Sequence, residues 1–197
     1  MTKKVINQKG KFDEELINTI EPNFIFNDKP INRFNIVENS NNLSQTNKTS
    51  LLEELKNKIN SIENCSLKDN SQNLVLGDGN MNSPIMLIGE APGIEEDKIG
   101  ITFKGEIGEL LNKMLIAIKI KRQNIYCSYA INFRPPEDRK PTSQEIKRYS
   151  IFLKEHISIV DPKIVVLFGS TAMESVTSSN ERISNERGNW KEIILKN

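Results

Sequence analysis

The sequence is poor in the residues that most often do chemistry. Its 197 residues hold one histidine, His156, two cysteines, Cys65 and Cys127, and one tryptophan. His156 sits midway through a helical pattern beside apolar positions, which marks it as a partly buried helix residue. Serine and cysteine nucleophiles are thereby left without a base partner near a strand end. The two cysteines are far apart and show no CxxC or CxxH spacing, so neither a disulfide framework nor a zinc site is indicated. Charge of one sign is also lacking, with Lys+Arg 27 against Asp+Glu 26. No global field favours or opposes nucleic acid, and a polyanion site has to be a local patch. No segment approaches the ~18 apolar residues of a membrane span, and the start, Met1 to Gln8, has lysines without a signal-peptide core. A soluble, cytoplasmic protein with reduced thiols is expected. Walker and dinucleotide fingerprints are missing, which weighs against a nucleotide cofactor.

What is present divides into two parts. Residues 1–48 form an Asn-rich extension, with a short helical pattern at Phe12, Leu16, Ile17 and Ile20 followed by a linker, Asn35 to Asn47, too polar to pack. A domain is expected over residues 50–197. Ser50-Leu51-Leu52-Glu53 reads as a capping box opening a helix whose Leu51, Leu52, Leu55, Ile59 and Ile62 share a face. Leu74-Val75-Leu76, a Gly77-Asp78-Gly79 turn and the apolar run Ile85 to Ile88 read as strand, turn, strand. Ile107, Leu110, Leu111, Met114, Leu115 and Ile118 keep a 3.6 period, predicting a helix packed on a sheet. Asn124 to Ile131 is a second strand stopped by Arg134-Pro135-Pro136. Thr142-Ser143-Gln144-Glu145 is another capping box, opening a helix with Ile146, Tyr149, Leu153, Ile157 and Val160 on one face. Lys163 to Gly169 reads as a further buried strand, Ser170 to Val176 as a short helix, and Trp190 to Leu195 as the start of a last strand. The alternation predicts an α/β fold: three layers around a mainly parallel sheet with right-handed crossovers.

The organising stretch is Ser83 to Gly93. A doubly buried strand, Ile85 to Ile88, ends at Gly89-Glu90, and the ends of such strands are where ligands sit in open α/β sheets. Glu90 is therefore either a working carboxylate or a solvated loop residue. Three loops are expected to gather there: Glu90 to Gly108, Asn132 to Arg139 and Gly169 to Thr171. The first carries Glu95, Glu96, Asp97 and Phe103, acids that suit a metal or, better, the cap of the following helix. The second places Arg134, Arg139 and Lys140 around a rigid Pro-Pro turn, a group suited to phosphate or simply solvated.

Several of these motifs, in this order and spacing, resemble the family-four branch of the uracil-DNA glycosylase superfamily. They are Gly89-Glu90-Ala91-Pro92-Gly93 with Glu95-Glu96-Asp97, Gly100 to Gly105, Ile125-Tyr126, Arg134 to Thr142, Pro162 to Gly169 and Arg187-Gly188. The resemblance covers roughly residues 50–190. It implies a domain that flips uracil out of DNA and hydrolyses its N-glycosidic bond in base-excision repair. It also implies roles: Glu90 to position water or stabilise the cationic sugar, Phe103 to stack on the base, the Ala91 N–H to face it, and Arg134 and Arg139 to lie near the DNA backbone. Family members commonly hold an iron–sulfur cluster on four cysteines, where this chain has Ile62, Cys65, Phe133 and Tyr149; one thiol cannot hold it, and no cofactor is expected. Tyr129 stands where the family has a uracil-reading asparagine, and the chain ends before the family's His-Pro loop. The expected partner is DNA bearing uracil or another damaged base, bound by a monomer, with excision reduced or lost. The alternatives are a non-catalytic DNA- or partner-binding remnant and a glycosylase for another damaged base.

Overall fold

The computed structural model describes residues 36–179 and 181–193, with side chains from Asn47 onward. The helical pattern at Phe12 to Ile20 and the stretch after Ile193 lie outside them. Four short strands carry the domain: β1 (Gly77–Gly79), β2 (Ile85–Gly89), β3 (Tyr126–Tyr129) and β4 (Ile164–Leu167). Their order is β1-β3-β2-β4. β2 pairs in parallel with β3 and β4, and only β1 runs antiparallel, against β3. The expected α/β fold with a mainly parallel sheet is what the chain forms.

Side chains alternating along β2 build two layers. Met86 and Ile88 pack with Leu153, Ile157 and Val160 of α5 (Ser143–Val160) and with Ala172 and Val176 of α6 (Gly169–Thr177). Leu87 faces the opposite layer, where it meets Cys127 and Leu111 and Leu115 of α4 (Gly105–Ala117). A third cluster lies beside the sheet: Leu55 and Ile59 of α1 (Ile36–Asn60) and Leu67 of α2 (Ser66–Asn70) join Cys65, Ile131, Phe133 and Tyr149. The remaining helices are α3 (Ile94–Ile99) and α7 (Ile183–Glu186). No helix among the described residues is long and apolar enough to cross a membrane.

Five local expectations are corrected. α1 runs unbroken from Ile36 to Asn60, so Ser50 is a helix interior and the stretch from Ile36 to Asn47, expected as linker, is helical. Once Leu52, Leu55 and Ile59 are packed, each residue added toward the N-terminus gains a backbone bond without a new nucleation cost. Gly77-Asp78-Gly79 is itself the edge strand β1, and the reversal comes at Asn80 to Ser83, where Ser83 N–H donates to the Asn80 carbonyl and Asn82 N–H to Asn80 Oδ1. Gly79 is needed for close approach: a Cβ there would lie 2.1 Å from the Ile125 carbonyl oxygen, at a φ of +112°. Among the described residues β4 is an edge strand flanked by β2 alone, with Ile164 and Val166 each 37 % exposed, not a strand buried on both faces. On α4, Gly108, Leu111 and Leu115 are buried while Ile107, Leu110, Met114 and Ile118 are exposed. The described part of Trp190 to Leu195 forms no strand.

His156 is fully buried on α5 and bridges the sheet. Its Nε2 lies 3.0 Å from the Tyr126 hydroxyl and its Nδ1 3.3 Å from Ser128 Oγ, which donates to the Leu76 carbonyl. Burial lowers its pKa to about 4, below the ordinary ~6.5 of histidine. Between those values the unfolded chain binds a proton that the folded chain refuses, so stability falls as pH drops from about 6.5 to about 4 and is complete above that window. A loss of about 3 kcal/mol is expected across it. Urea unfolding at pH 7.5, 6 and 5 should show the decline, with His156→Gln giving a flatter profile.

Candidate active site

Glu90 follows β2 directly, at the carboxyl end of the sheet. The ladder continues past the strands: Ala130 N–H donates to the Gly89 carbonyl and Ile131 N–H to that of Glu90. These bonds fix the Glu90 backbone, and Thr171 fixes its side chain, donating from Oγ1 to Glu90 Oε2 at 2.7 Å. Thr171 is buried in the first turn of α6, where the positive helix end also favours an acidic neighbour. The carboxylate is thus held in one orientation rather than swinging in solvent.

Phe103 is held as tightly, by three successive backbone bonds. Asp78 Oδ2 accepts from both the N–H and the hydroxyl of Thr102, and Asp78 Oδ1 takes Arg122 at 2.6 Å. The Tyr129 hydroxyl accepts from Phe103 N–H at 2.9 Å. Glu96 Oε1 accepts from Lys104 N–H, also at 2.9 Å. Together they sustain a φ of +50° at Phe103, a conformation that costs a non-glycine residue ~1–3 kcal/mol and persists only where its surroundings over-determine it. The Phe103 ring lies 5.0 Å from that of Tyr129 and 6.2 Å, edge to face, from that of Phe168.

Glu96 links these pieces. It is 5 % exposed; its Oε2 accepts from Gly93 N–H at 3.1 Å, and its Oε1 also accepts from the Tyr129 hydroxyl at 3.3 Å. One carboxylate therefore ties the turn after Glu90, the Phe103 loop and the end of β3. The acidic loop serves as a brace: Glu96 acts in this way, and Asp97 Oδ1 accepts from the N–H groups of Gln72 and Asn73. Burial raises the Tyr129 pKa above its ordinary value, so the phenol stays protonated.

Glu90, Ala91, Phe103, Tyr129 and Arg139 line one cavity of about 610 Å³, together with Phe168. Arg134 lies outside its lining. Both arginines are engaged: Arg134 forks onto Asp138 at 2.7 and 3.0 Å, and Arg139 onto Glu145 at 2.9 and 2.7 Å. Glu145 is also the box residue of α5, accepting from Thr142 N–H. The Arg139 hydrogen bonds lower the Glu145 pKa to about 2. A larger cleft, of about 870 Å³, lies between β4 and Trp190 and includes Lys48, Asp161 and Lys163. It lies at the amino end of β4 and includes none of the residues that line the Glu90 cavity, and Lys48 is spent on the carbonyls of Met81 and Val160.

The positions that the resemblance equates with cluster ligands do come together, but as core. Cys65, Phe133 and Tyr149 are buried in one cluster with Ile62 against it, and Cys65 Sγ lies 3.3 Å from the Tyr149 hydroxyl. One thiol among an isoleucine, a phenylalanine and a phenol does not fit an iron–sulfur cluster, which takes a full set of thiolate or imidazole ligands.

A fixed carboxylate facing an aromatic-lined cavity at the end of a parallel sheet defines a small-ligand site of the α/β class. The family model of the Uracil DNA glycosylase superfamily matches residues 76–195, and the chain belongs to that superfamily. It is 36 % identical over 140 residues to the type-4 uracil-DNA glycosylase of Thermotoga maritima, covering 71 % of this chain and 73 % of that one. The type-4 enzyme of Archaeoglobus fulgidus is 33 % identical over 125 residues, 64 % of this chain and 63 % of its own length. A DNA polymerase of Bacillus phage SP01 is 26 % identical over 129 residues, only 14 % of its length.

The sequence places Glu96 and Thr171 in loops expected to gather at the site without showing their bonds to Tyr129 and Glu90, and the Asp78–Thr102–Arg122 group was not identifiable from it. Thr171 had one local signal, its place in the first turn after a strand end. The others act through bonds between distant segments.

Proposed function

We propose that the protein acts on DNA as a base-excision glycosylase of the uracil-DNA glycosylase type. Its substrate is a nucleotide flipped out of the helix, which costs a few kcal/mol and is offset by contacts in the pocket. Water adds through its oxygen to the sugar C1′, the C1′–N bond breaks, and its electron pair leaves with the base. Glu90 orients that water, accepts its proton and stabilises positive charge on the sugar, while Thr171 keeps the carboxylate aimed. Phe103 and the Ala91 N–H face the departing base, and Arg139 and Arg134 lie toward the backbone phosphates. Both arginines are forked onto carboxylates, so phosphate contact has to compete with Asp138 and Glu145, and salt-dependent affinity should be modest.

The fixed Glu90–Thr171 pair opposite Phe103 carries this reading. Excision measured on single- and double-stranded uracil DNA tests it: Glu90→Gln should lower the single-turnover rate about 10²-fold, the scale of losing one preorganised electrostatic group. Excision unaffected by Glu90→Gln would overturn the role of Glu90 in the chemistry, and no excision in the wild type with tight binding retained would favour a DNA-binding protein without the chemistry.

A further inference from the structure

The Tyr129 side chain does what an extruded base would do. Its ring lies against the Phe103 ring, with centroids 5.0 Å apart and planes at 34°. A base stacked between two rings needs two van der Waals separations of about 3.5 Å each, about 7 Å in all, so no base fits between them. Its hydroxyl accepts from Phe103 N–H, as a base carbonyl would, and donates to Glu96 Oε1, as a base N–H would. The hydroxyl's single hydrogen is committed to Glu96 and a lone pair to Phe103 N–H, leaving no donor to read a pyrimidine edge. The ring is also wedged against the backbone, since a Cβ on Gly89 would lie 2.8 Å from its Cδ1 and Cε1. Glu90, its carboxylate held by the buried Thr171, lines the same cavity as this stack.

We propose that Tyr129 is a resident stand-in for the flipped base, and that the pocket binds a baseless deoxyribose, the abasic site of DNA, in preference to a nucleotide carrying uracil. This rests on the glycosylase reading of the same pocket. It gives the site a product-like ligand: the sugar reaches Glu90 while the phenol keeps the place of the base. Uracil can enter only by displacing a ring that is stacked, hydrogen-bonded at both ends of its hydroxyl and backed by glycine.

Fluorescence anisotropy with short single-stranded oligonucleotides decides it, each carrying one tetrahydrofuran abasic analogue, one deoxyuridine or one thymidine. The wild type should bind the abasic oligonucleotide about tenfold more tightly than the uracil one, within the range of one base–aromatic stack. Tyr129→Phe, which keeps the ring and loses the hydroxyl, should retain most of that preference. Tyr129→Asn should abolish or reverse it and raise uracil excision. Equal wild-type affinity for the abasic and uracil oligonucleotides overturns the proposal and needs no variant to fold; so does a ratio unchanged in a folded Tyr129→Asn. Excision in the same samples separates the two readings. A Tyr129→Asn protein that gains uracil affinity without Glu90-dependent excision sinks the glycosylase reading and leaves the stand-in intact.

Discussion

Replacing Glu96 with alanine is expected to destabilise the domain by about 4 kcal/mol and to release Phe103. The variant orphans the N–H groups of Gly93 and Lys104 and the Tyr129 hydroxyl, all of which this carboxylate accepts. Each buried donor left unpaired costs ~1–3 kcal/mol, and water entering the cavity offsets part of the sum. For a chain of this size the midpoint of thermal unfolding should fall by roughly 10 °C. Glu96→Gln is the sharper comparison. Its single amide oxygen can serve Lys104 and Tyr129, but its NH₂ then faces Gly93 N–H, donor against donor. An intermediate loss of about 1–2 kcal/mol is expected. Equal midpoints for wild type and Glu96→Ala would show that the three donors are hydrated in the folded state and that the brace is not one.

The effect of Glu96 should reach function through Phe103, whose positive φ needs the bonds on either side of it. A merely destabilised protein would recover its DNA binding at low temperature. One whose Phe103 loop has been freed would not, because the ring would no longer be presented to the cavity. Abasic-oligonucleotide affinity at 10 °C, far below the melting transition of either variant, separates the two.

The sequence exposed the parts of this site that are encoded locally. Ile85 to Gly89 reads as a buried strand because apolar residues stand on both faces, and Glu90 then falls at a strand end without further information. The Thr142–Glu145 box is equally local, and α5 begins where it predicts: Thr142 Oγ1 accepts from Glu145 N–H. Illegible features depend on what lies beside a segment. β4 has the composition of a central strand, yet Ile164 and Val166 are each 37 % exposed, because among the described residues it has a neighbour on one side only. The same apolar period on α4 supplied both a packed stripe and a bare one, since a stripe wider than the sheet contact leaves its flank outside. Asp78-Gly79 carries the chemistry of a turn, but the left-handed glycine was used to bring β1 close to Ile125 and the carboxylate to grip Thr102. The Tyr129 hydroxyl finds Glu96 across 33 positions of sequence, a distance over which residue patterns say nothing.

Gly108→Ala should be the most damaging single-methyl change in the site. A Cβ at Gly108 would lie 1.9 Å from the Phe103 carbonyl oxygen and 2.5 Å from its carbon. Both are backbone atoms, so no rotamer change relieves the contact. The closeness follows from the turn before α4: Phe103 at φ +50° and Gly105 at +63° fold the Phe103 carbonyl down onto the first turn of the helix. The methyl can be admitted only if α4 slides or the Phe103 turn opens. Sliding α4 disturbs Leu111 and Leu115 against Leu87 and Cys127, and overpacking of this kind costs ~1–3 kcal/mol, occasionally more. Opening the turn breaks the bonds that Asp78, Tyr129 and Glu96 make to Thr102, Phe103 and Lys104, at about 1 kcal/mol or more each. Either route should give a loss of at least about 3 kcal/mol in urea unfolding, and the second should also separate the Phe103 and Tyr129 rings, weakening their near-ultraviolet circular dichroism. Gly105→Ala is the control, because the Cβ there meets only the Glu95 side chain, at 3.4 Å, and its cost is confined to the left-handed φ, ~1 kcal/mol. If Gly108→Ala proves no worse than Gly105→Ala, the Phe103 carbonyl is not held against α4 in solution, and the fixed aromatic face that the site depends on is lost with it.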